Sequence, residues 1–276
     1  ALYYNKDFFD QKGIALPPST WQEFLDLIPQ LRELNYAGEI VRAAAALGGS
    51  PKSINQATDI LNLLMFQKGA QMIDAEATRA AFNDQKGKEA LDFYTRFANP
   101  ASPYYTWSDS FGTSVDSFGQ GKTAMVFDYN SEAPNIKTKN PFLNFAISPM
   151  LQFNSEQAVN FPRYLGYTVA AKTGSLKSPW AWDFILYMTT NHQSAETYFE
   201  TTKKPPALRI LINKYINDPD MGIFAKQALT SRSWLQPDDQ KTEQIFSEMI
   251  SSVTSGRLSS ATALQQAADQ ITQLLK

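Results

Sequence analysis

The 276-residue chain has no cysteine and a single histidine, His192. Without thiols there can be no disulfide, thiolate nucleophile or zinc–thiolate cluster, and such a chain suits folding outside a reducing cytosol without mispairing. Charge is sparse and nearly balanced, with 25 Lys and Arg against 27 Asp and Glu for a net charge of −2. That lacks the basic surface a polyanion requires, so no nucleic-acid partner is expected. No apolar run approaches the ~20 residues of a membrane-spanning helix. The opening residues, ALYYNKDFF, have no initiator Met, no charged and apolar signal segment and no small-residue cleavage site. They read as the start of a fragment in mid-fold. Asn-x-Ser/Thr sequons are also missing, so glycosylation gives no clue to compartment.

What remains is ordinary globular composition, 43% hydrophobic and 19% charged, enough for one large or two modest domains. Leu2 to Tyr4 is a β-prone run. Thr20 and Glu23 have the spacing of a capping box, and Phe24, Leu27, Ile28 and Leu31 follow at helical spacing. A Gly-Ser-Pro loop from Gly48 to Ser53 precedes a helix of about four turns with Ile60, Leu64 and Met65 inward. Further helices are expected over 87–97 and 110–118, separated by a loop whose Tyr104, Tyr105 and Trp107 read as an exposed aromatic cluster. In SFGQGKTAMVFDYN, residues 117–130, a helix end is followed by a glycine turn and a buried strand, Ala124 to Phe127. Gly119 and Gly121 are both able to supply left-handed backbone there. Strands are also expected over 145–148 and 164–171, and from Pro205 onward the pattern is almost wholly helical. Short strands first and a helical tail last predict a mixed α/β architecture.

Enzymatic motifs fail one by one. A phosphate loop needs G-x-x-x-x-G-K-[ST], but the position five before Gly121 is Asp116. Gly112-Thr113-Ser114-Val115-Asp116 misses the G-x-S-x-G elbow at its last residue. His192 sits beside a helix start with solvent-facing neighbours. Carboxylate pairs of the glycosidase kind stay open in Asp218 with Asp220 and Asp238 with Asp239, although Asp in Pro-flanked turns is commonly a cap. Carbohydrate binding needs only flat rings for the C–H face of a sugar and short polar groups for its hydroxyls, with neither metal nor cofactor. Candidates lying outside obvious core stripes are Tyr129, Tyr164, Tyr167 and Trp234, with Asn55, Asn130, Ser131 and Arg163 as polar partners.

Three segments carry a family resemblance in the right order. ALYYNKDFFDQKGIALPPSTWQEF at the start resembles the pattern x-L-x-Y-N-K-x-x-F-x-x-x-G-I-x-x-P-x-T-W-x-E of the solute-binding proteins of carbohydrate-type ABC importers, the family that includes maltodextrin-binding protein. SFGQGKTAMVFDYN resembles that family's F-x-x-G-K-x-A-M segment. YLGYTVAAKTGSLKSPWAWDFILYMTTNHQSAETYF, residues 164–199, resembles the segment that in this family begins with a Gly-Gly pair, for which this chain has Leu165-Gly166-Tyr167. KKPPA, residues 203–207, is similar to the G-x-x-P-A crossing but lacks its Gly.

The resemblance implies a periplasmic-binding-protein type II-like two-lobed α/β fold. The C-terminal lobe would comprise residues 1–163 and 204–276 and carry the helical tail, and residues 164–203 would be the remnant of an incomplete N-terminal lobe. It implies Tyr129, Asn130 and Ser131 in a cleft loop, Gly166 and Tyr167 where the chain returns to the first lobe, and Trp234 ahead of a cleft-facing helix. It further implies a non-enzymatic, extracellular or periplasmic, lipid-anchored protein that takes a sugar to the subunits of a membrane permease. Polyamines, metal ions, phosphate esters and peptides are other ligands of this fold. A carbohydrate-active enzyme, or a ligand sensor with the same fold, is the alternative.

Overall fold

The computed structural model describes residues 1–219 and 221–276. Contacts divide the chain into two units, residues 1–161 with 232–276, and residues 162–231.

The first unit opens with β1 (Leu2–Asn5), α1 (Lys6–Gln11) and α2 (Trp21–Leu31), followed by a small antiparallel pair, β2 (Glu33–Leu34) and β3 (Ile40–Arg42). Next come α3 (Ala57–Lys68), α4 (Gln85–Thr95), α5 (Ser114–Gly119), β4 (Met125–Phe127), α6 (Glu132–Lys139) and β5 (Phe145–Ser148). β1 lies between β4 and β5, antiparallel to both, with Leu2 opposite Phe127 and Ser148. The wholly buried run Ala43–Leu47 extends this sheet, since Ala43 and Ala46 bridge in parallel to Thr123 and Val126.

α2 begins where its capping box predicts. The Thr20 hydroxyl accepts from the Glu23 amide at 3.2 Å and Glu23 accepts from the Thr20 amide at 3.2 Å. That start aims Trp21 into the core, edge-on to Phe24 and Phe93 at 5.5 and 5.3 Å and tilted against Phe127. Such contacts contribute roughly 0.5–1.5 kcal/mol each beyond the burial of the rings. The Trp21 indole N–H donates to Gln67 at 2.7 Å, and the Gln67 amide donates to the carbonyls of Leu151 and Val159 at 2.8 and 3.1 Å. The C-terminal end of α3 is thus bonded to α2 and to the segment after β5.

The second unit contains α7 (Ser178–Thr190), α8 (His192–Thr202), α9 (Arg209–Tyr215) and α10 (Gly222–Ala228). Its buried side chains include Phe199, Leu211, Ile212 and Phe224, and Phe199 packs on Tyr215 at 4.2 Å. No residue of α7 is buried. The chain then re-enters the first unit through α11 (Asp239–Thr254) and α12 (Ser260–Leu274). Among the described residues no helix is long and apolar enough to cross a membrane.

Three local expectations are corrected. Residues 164–171 form no strand but run irregular and mostly exposed into a short 3-10 turn at Ala171–Thr173. A strand exists only through a paired neighbour, and among the described residues this segment has none. The helix expected over 110–118 is broken by Gly112 at φ 77°, which separates a 3-10 turn at Asp109–Phe111 from α5. Gly119 belongs to that helix, and Gly121 alone supplies the left-handed turn, at φ 69°.

Candidate functional site

The loop at the end of β4 is held by side-chain hydrogen bonds to β1 and to the start of α3. Asp128 is only 4% exposed, and its Oδ1 accepts from the Tyr129 amide at 2.8 Å and from Gln56 Nε2 at 3.0 Å. Its Oδ2 is buried with no partner among the described residues. Burial therefore pushes the Asp128 carboxyl up to about 6, helped by the negative charge of Glu132, against the opposing pull of its two hydrogen bonds. The Tyr3 hydroxyl, on β1, donates to the Tyr129 carbonyl at 2.7 Å. The Tyr129 hydroxyl in turn donates to Asp59 Oδ2 at 2.9 Å. Two consecutive loop residues are thus bonded to the start of α3.

On α3 itself, Asp59, Asn62 and Phe66 recur at spacings that place them on one helix face. Asn62 is buried; its amide donates to the Thr58 carbonyl at 2.9 Å and its Oδ1 accepts from the Trp234 indole at 2.9 Å. The Trp234 ring rests against Phe246 of α11 at 6.2 Å. Phe66 stacks on Phe161 at 6.1 Å and 26°. This stripe holds a tyrosine and a tryptophan, each half-exposed and each fixed through its polar end. Rings held in this way offer a flat apolar surface beside amide and carboxylate acceptors, which is the chemistry of a polyhydroxylated ring.

The residues expected from sequence are distributed as follows. Tyr129 and Trp234 both bond to the α3 face. Asn130 and Ser131 share the Tyr129 loop, Asn130 half-buried and Ser131 exposed ahead of α6. Asn55 is bonded twice to Ser114, its amide donating to Oγ at 3.1 Å and its Oδ1 accepting at 2.9 Å, which ties the approach to α3 to the start of α5. Arg163, Tyr164, Gly166 and Tyr167 lie in the second unit and are all exposed, Tyr164 by 69% and Tyr167 by 52%. Asp59, Asn62, Phe66 and Phe161 were not among the expected residues. Their only sequence signal is the polar Asn62 inside the apolar run ILNLLMF.

The expected exposed aromatic loop is also corrected. Trp107 is fully buried, with its indole donating to Ser53 Oγ at 3.0 Å, while Tyr104 and Tyr105 are half-exposed. Of the carboxylate pairs, Asp238 caps α11 by accepting from the Lys241 amide at 3.0 Å, and Asp239 is exposed. Asp218 accepts from the Met221 amide at 2.7 Å, and Asp220 lies outside the described residues. His192 is exposed in the first turn of α8.

Residues 1–221 match the family model described as bacterial extracellular solute-binding protein. No curated protein sequence matches the chain. Among solved structures, a Thermotoga lettingae ABC transporter solute-binding protein bound with α-D-tagatose superposes with a TM-score of 0.69 at 19% identity, over 100% of this chain and 70% of its own. The cyclic α-maltosyl-1,6-maltose-binding protein of Arthrobacter globiformis gives 0.72 at 18% identity, over 100% and 69%. The maltose/maltodextrin-binding domain of Bdellovibrio bacteriovorus, bound to maltotriose, gives 0.66 at 19%, over 99% and 69%. At these identities the likeness is one of fold, and the α/β fold is that of the periplasmic solute-binding proteins.

Proposed function

Because the chain belongs to the bacterial extracellular solute-binding proteins, we propose that it is the ligand-capturing component of an ABC importer and that its ligand is a sugar or oligosaccharide. One observation carries the choice of ligand: Tyr129 and Trp234 are anchored to adjacent turns of α3 through Asp59 and Asn62. Preoriented rings with hydrogen-bonding groups between them bind a pyranose without any catalytic group, and fixing them in advance lowers the entropic cost of binding. The sugars named for the three solved relatives support the same class.

In this reading residues 1–163 and 204–276 are one lobe of the whole protein, and residues 164–203 belong to the other. This division follows the crossings that the family resemblance implies and differs from the contact units over residues 162–163 and 204–231. Asn55, Asn130 and Ser131 supply polar contacts beside Tyr129, and Arg163, Tyr164, Gly166 and Tyr167 contribute from the segment that returns to the other lobe. Ligand bridging both lobes favours the closed form, which is the form a membrane permease recognises. Export with a lipid anchor completes the proposal.

A panel of mono- and oligosaccharides titrated by calorimetry, with product analysis of each mixture, tests it. The expected result is saturable binding of a sugar that is recovered unchanged, weakened by Tyr129→Ala and by Trp234→Ala. Cleavage of the sugar, or binding indifferent to both substitutions, would overturn it.

A further inference from the structure

The stretch between β4 and α6 is folded on itself by short backbone bonds. The Glu132 N–H donates to the Tyr129 carbonyl at 3.1 Å and the Ala133 N–H to the Asn130 carbonyl at 3.3 Å, so residues 129–133 form a turn that runs into α6. One side chain of the sheet reaches this turn. The Tyr3 hydroxyl donates to the same Tyr129 carbonyl at 2.7 Å, and that oxygen ties the turn both to α6 and to the central strand.

Tyr3 is 0% exposed, stands opposite Val126 in the sheet and packs its ring on Phe145 at 6.0 Å. A ring so enclosed touches no ligand, and the sheet fixes where its hydroxyl lies. Burial, followed by the charges of Asp128 and Glu132, raises the phenol far above the ordinary tyrosine range, with the Ala133 backbone amide pulling the other way. At neutral pH the group is therefore a constant donor. A phenylalanine would fill the same core, so the hydroxyl serves the turn rather than the packing.

We propose that Tyr3 is a positioning residue of the ligand site, holding the turn of Tyr129, Asn130 and Ser131 in the conformation that meets a saccharide. This rests on the sugar-binding reading and adds to it the device that preorients one of its two rings. A turn fixed before binding lowers the entropic cost of ordering it on the ligand.

Tyr3→Phe keeps the ring and removes only the hydroxyl. Calorimetric titration of the whole chain with maltotriose and cellotriose is expected to show affinity weakened about three- to tenfold. A double-mutant cycle separates positioning from a general loss of stability. Combined with Tyr129→Ala, Tyr3→Phe should cost little further affinity; combined with Trp234→Ala, it should cost as much as it does alone. Amide exchange supplies a readout that needs no ligand. In Tyr3→Phe the Glu132 and Ala133 amides should exchange faster by a larger factor than those of α11, which follow overall stability. Unchanged affinity for a saccharide that does bind, an equal loss in both backgrounds, or no selective change at Glu132 and Ala133 would each overturn the inference and leave the sugar-binding reading intact. Failure of both saccharides to bind the unmodified protein would overturn both.

Discussion

The indole N–H of Trp234 donates to the side-chain oxygen of Asn62 at 2.9 Å, joining residues 172 positions apart. Asn62 is 3% exposed, so its replacement by Leu would leave the indole N–H without its acceptor and free the ring to reorient. Asn62→Leu is expected to cost about 1–3 kcal/mol in urea denaturation and to weaken saccharide binding in parallel. Trp234→Phe removes the donor and leaves the buried Asn62 Oδ1 without its partner, so it should cost a comparable amount of stability. Unchanged affinity in Asn62→Leu would remove Asn62 from the positioning of the ring.

Asp128 predicts an unusual dependence of stability on pH. Its folded carboxyl is raised to about 6, chiefly by burial, from the ordinary value of 3.8. Between those values the folded form keeps a proton that the unfolded form has lost. The contribution to stability is therefore fully present below about pH 4 and is lost as pH rises through about 6. At neutral pH the charged, buried group opposes folding by up to about 3 kcal/mol. Asp128→Asn keeps the Oδ1 acceptor for Tyr129 and Gln56, so it should raise the melting temperature at pH 7.5 and gain far less at pH 4. An equal gain at both pH values would contradict this account.

At the start of α2 the sign is opposite. Hydrogen bonds from the Ser19 amide and hydroxyl and from the Thr20 amide hold the Glu23 carboxyl below the usual carboxylate range. The stability this adds is present above the unfolded value and is lost as pH falls through the folded one. Thr20→Ala should cost about 1 kcal/mol across the pH range, since its hydroxyl caps the Glu23 amide regardless of charge. The penalty of Glu23→Gln should shrink in acid. Chemical denaturation at pH 3 and pH 7 separates the two.

These cases show which parts of the molecule were legible in the sequence. The capping box and the strand Phe145–Ser148 depend on nearby residues or on a contiguous apolar pattern, and both formed where expected. Residues 164–171 are equally β-prone, but a strand is made by its neighbour, and none pairs with them among the described residues. Trp107 read as exposed because its loop is polar. It is buried because Gly49 lets the backbone close over it; a Cβ at Gly49 would stand 2.5 Å from the Trp107 ring. Tyr129 and Trp234 stood out as aromatics beyond the core stripes. Asp59 and Asn62 did not, because helical periodicity reads α3 as a core element, and their roles depend on partners 70 and 172 residues away.

The last prediction concerns α7, whose Trp180, Phe184 and Tyr187 are 76%, 60% and 59% exposed and share one face of the helix. Asp183, Leu186 and Thr190 of the same helix border these rings. Each ring would gain roughly 1.5–3 kcal/mol on full burial, so several in one patch favour association over solvent. Sedimentation velocity across roughly a hundredfold range of concentration should show this chain associating as concentration rises. Trp180→Glu combined with Phe184→Lys should abolish that association. A chain that stays monodisperse at every concentration would mean the apolar face is too small or too dispersed to drive association. Persistence of association in the double variant would place the contact elsewhere, with exposed Tyr164, Leu165 and Tyr167 the next surface to alter.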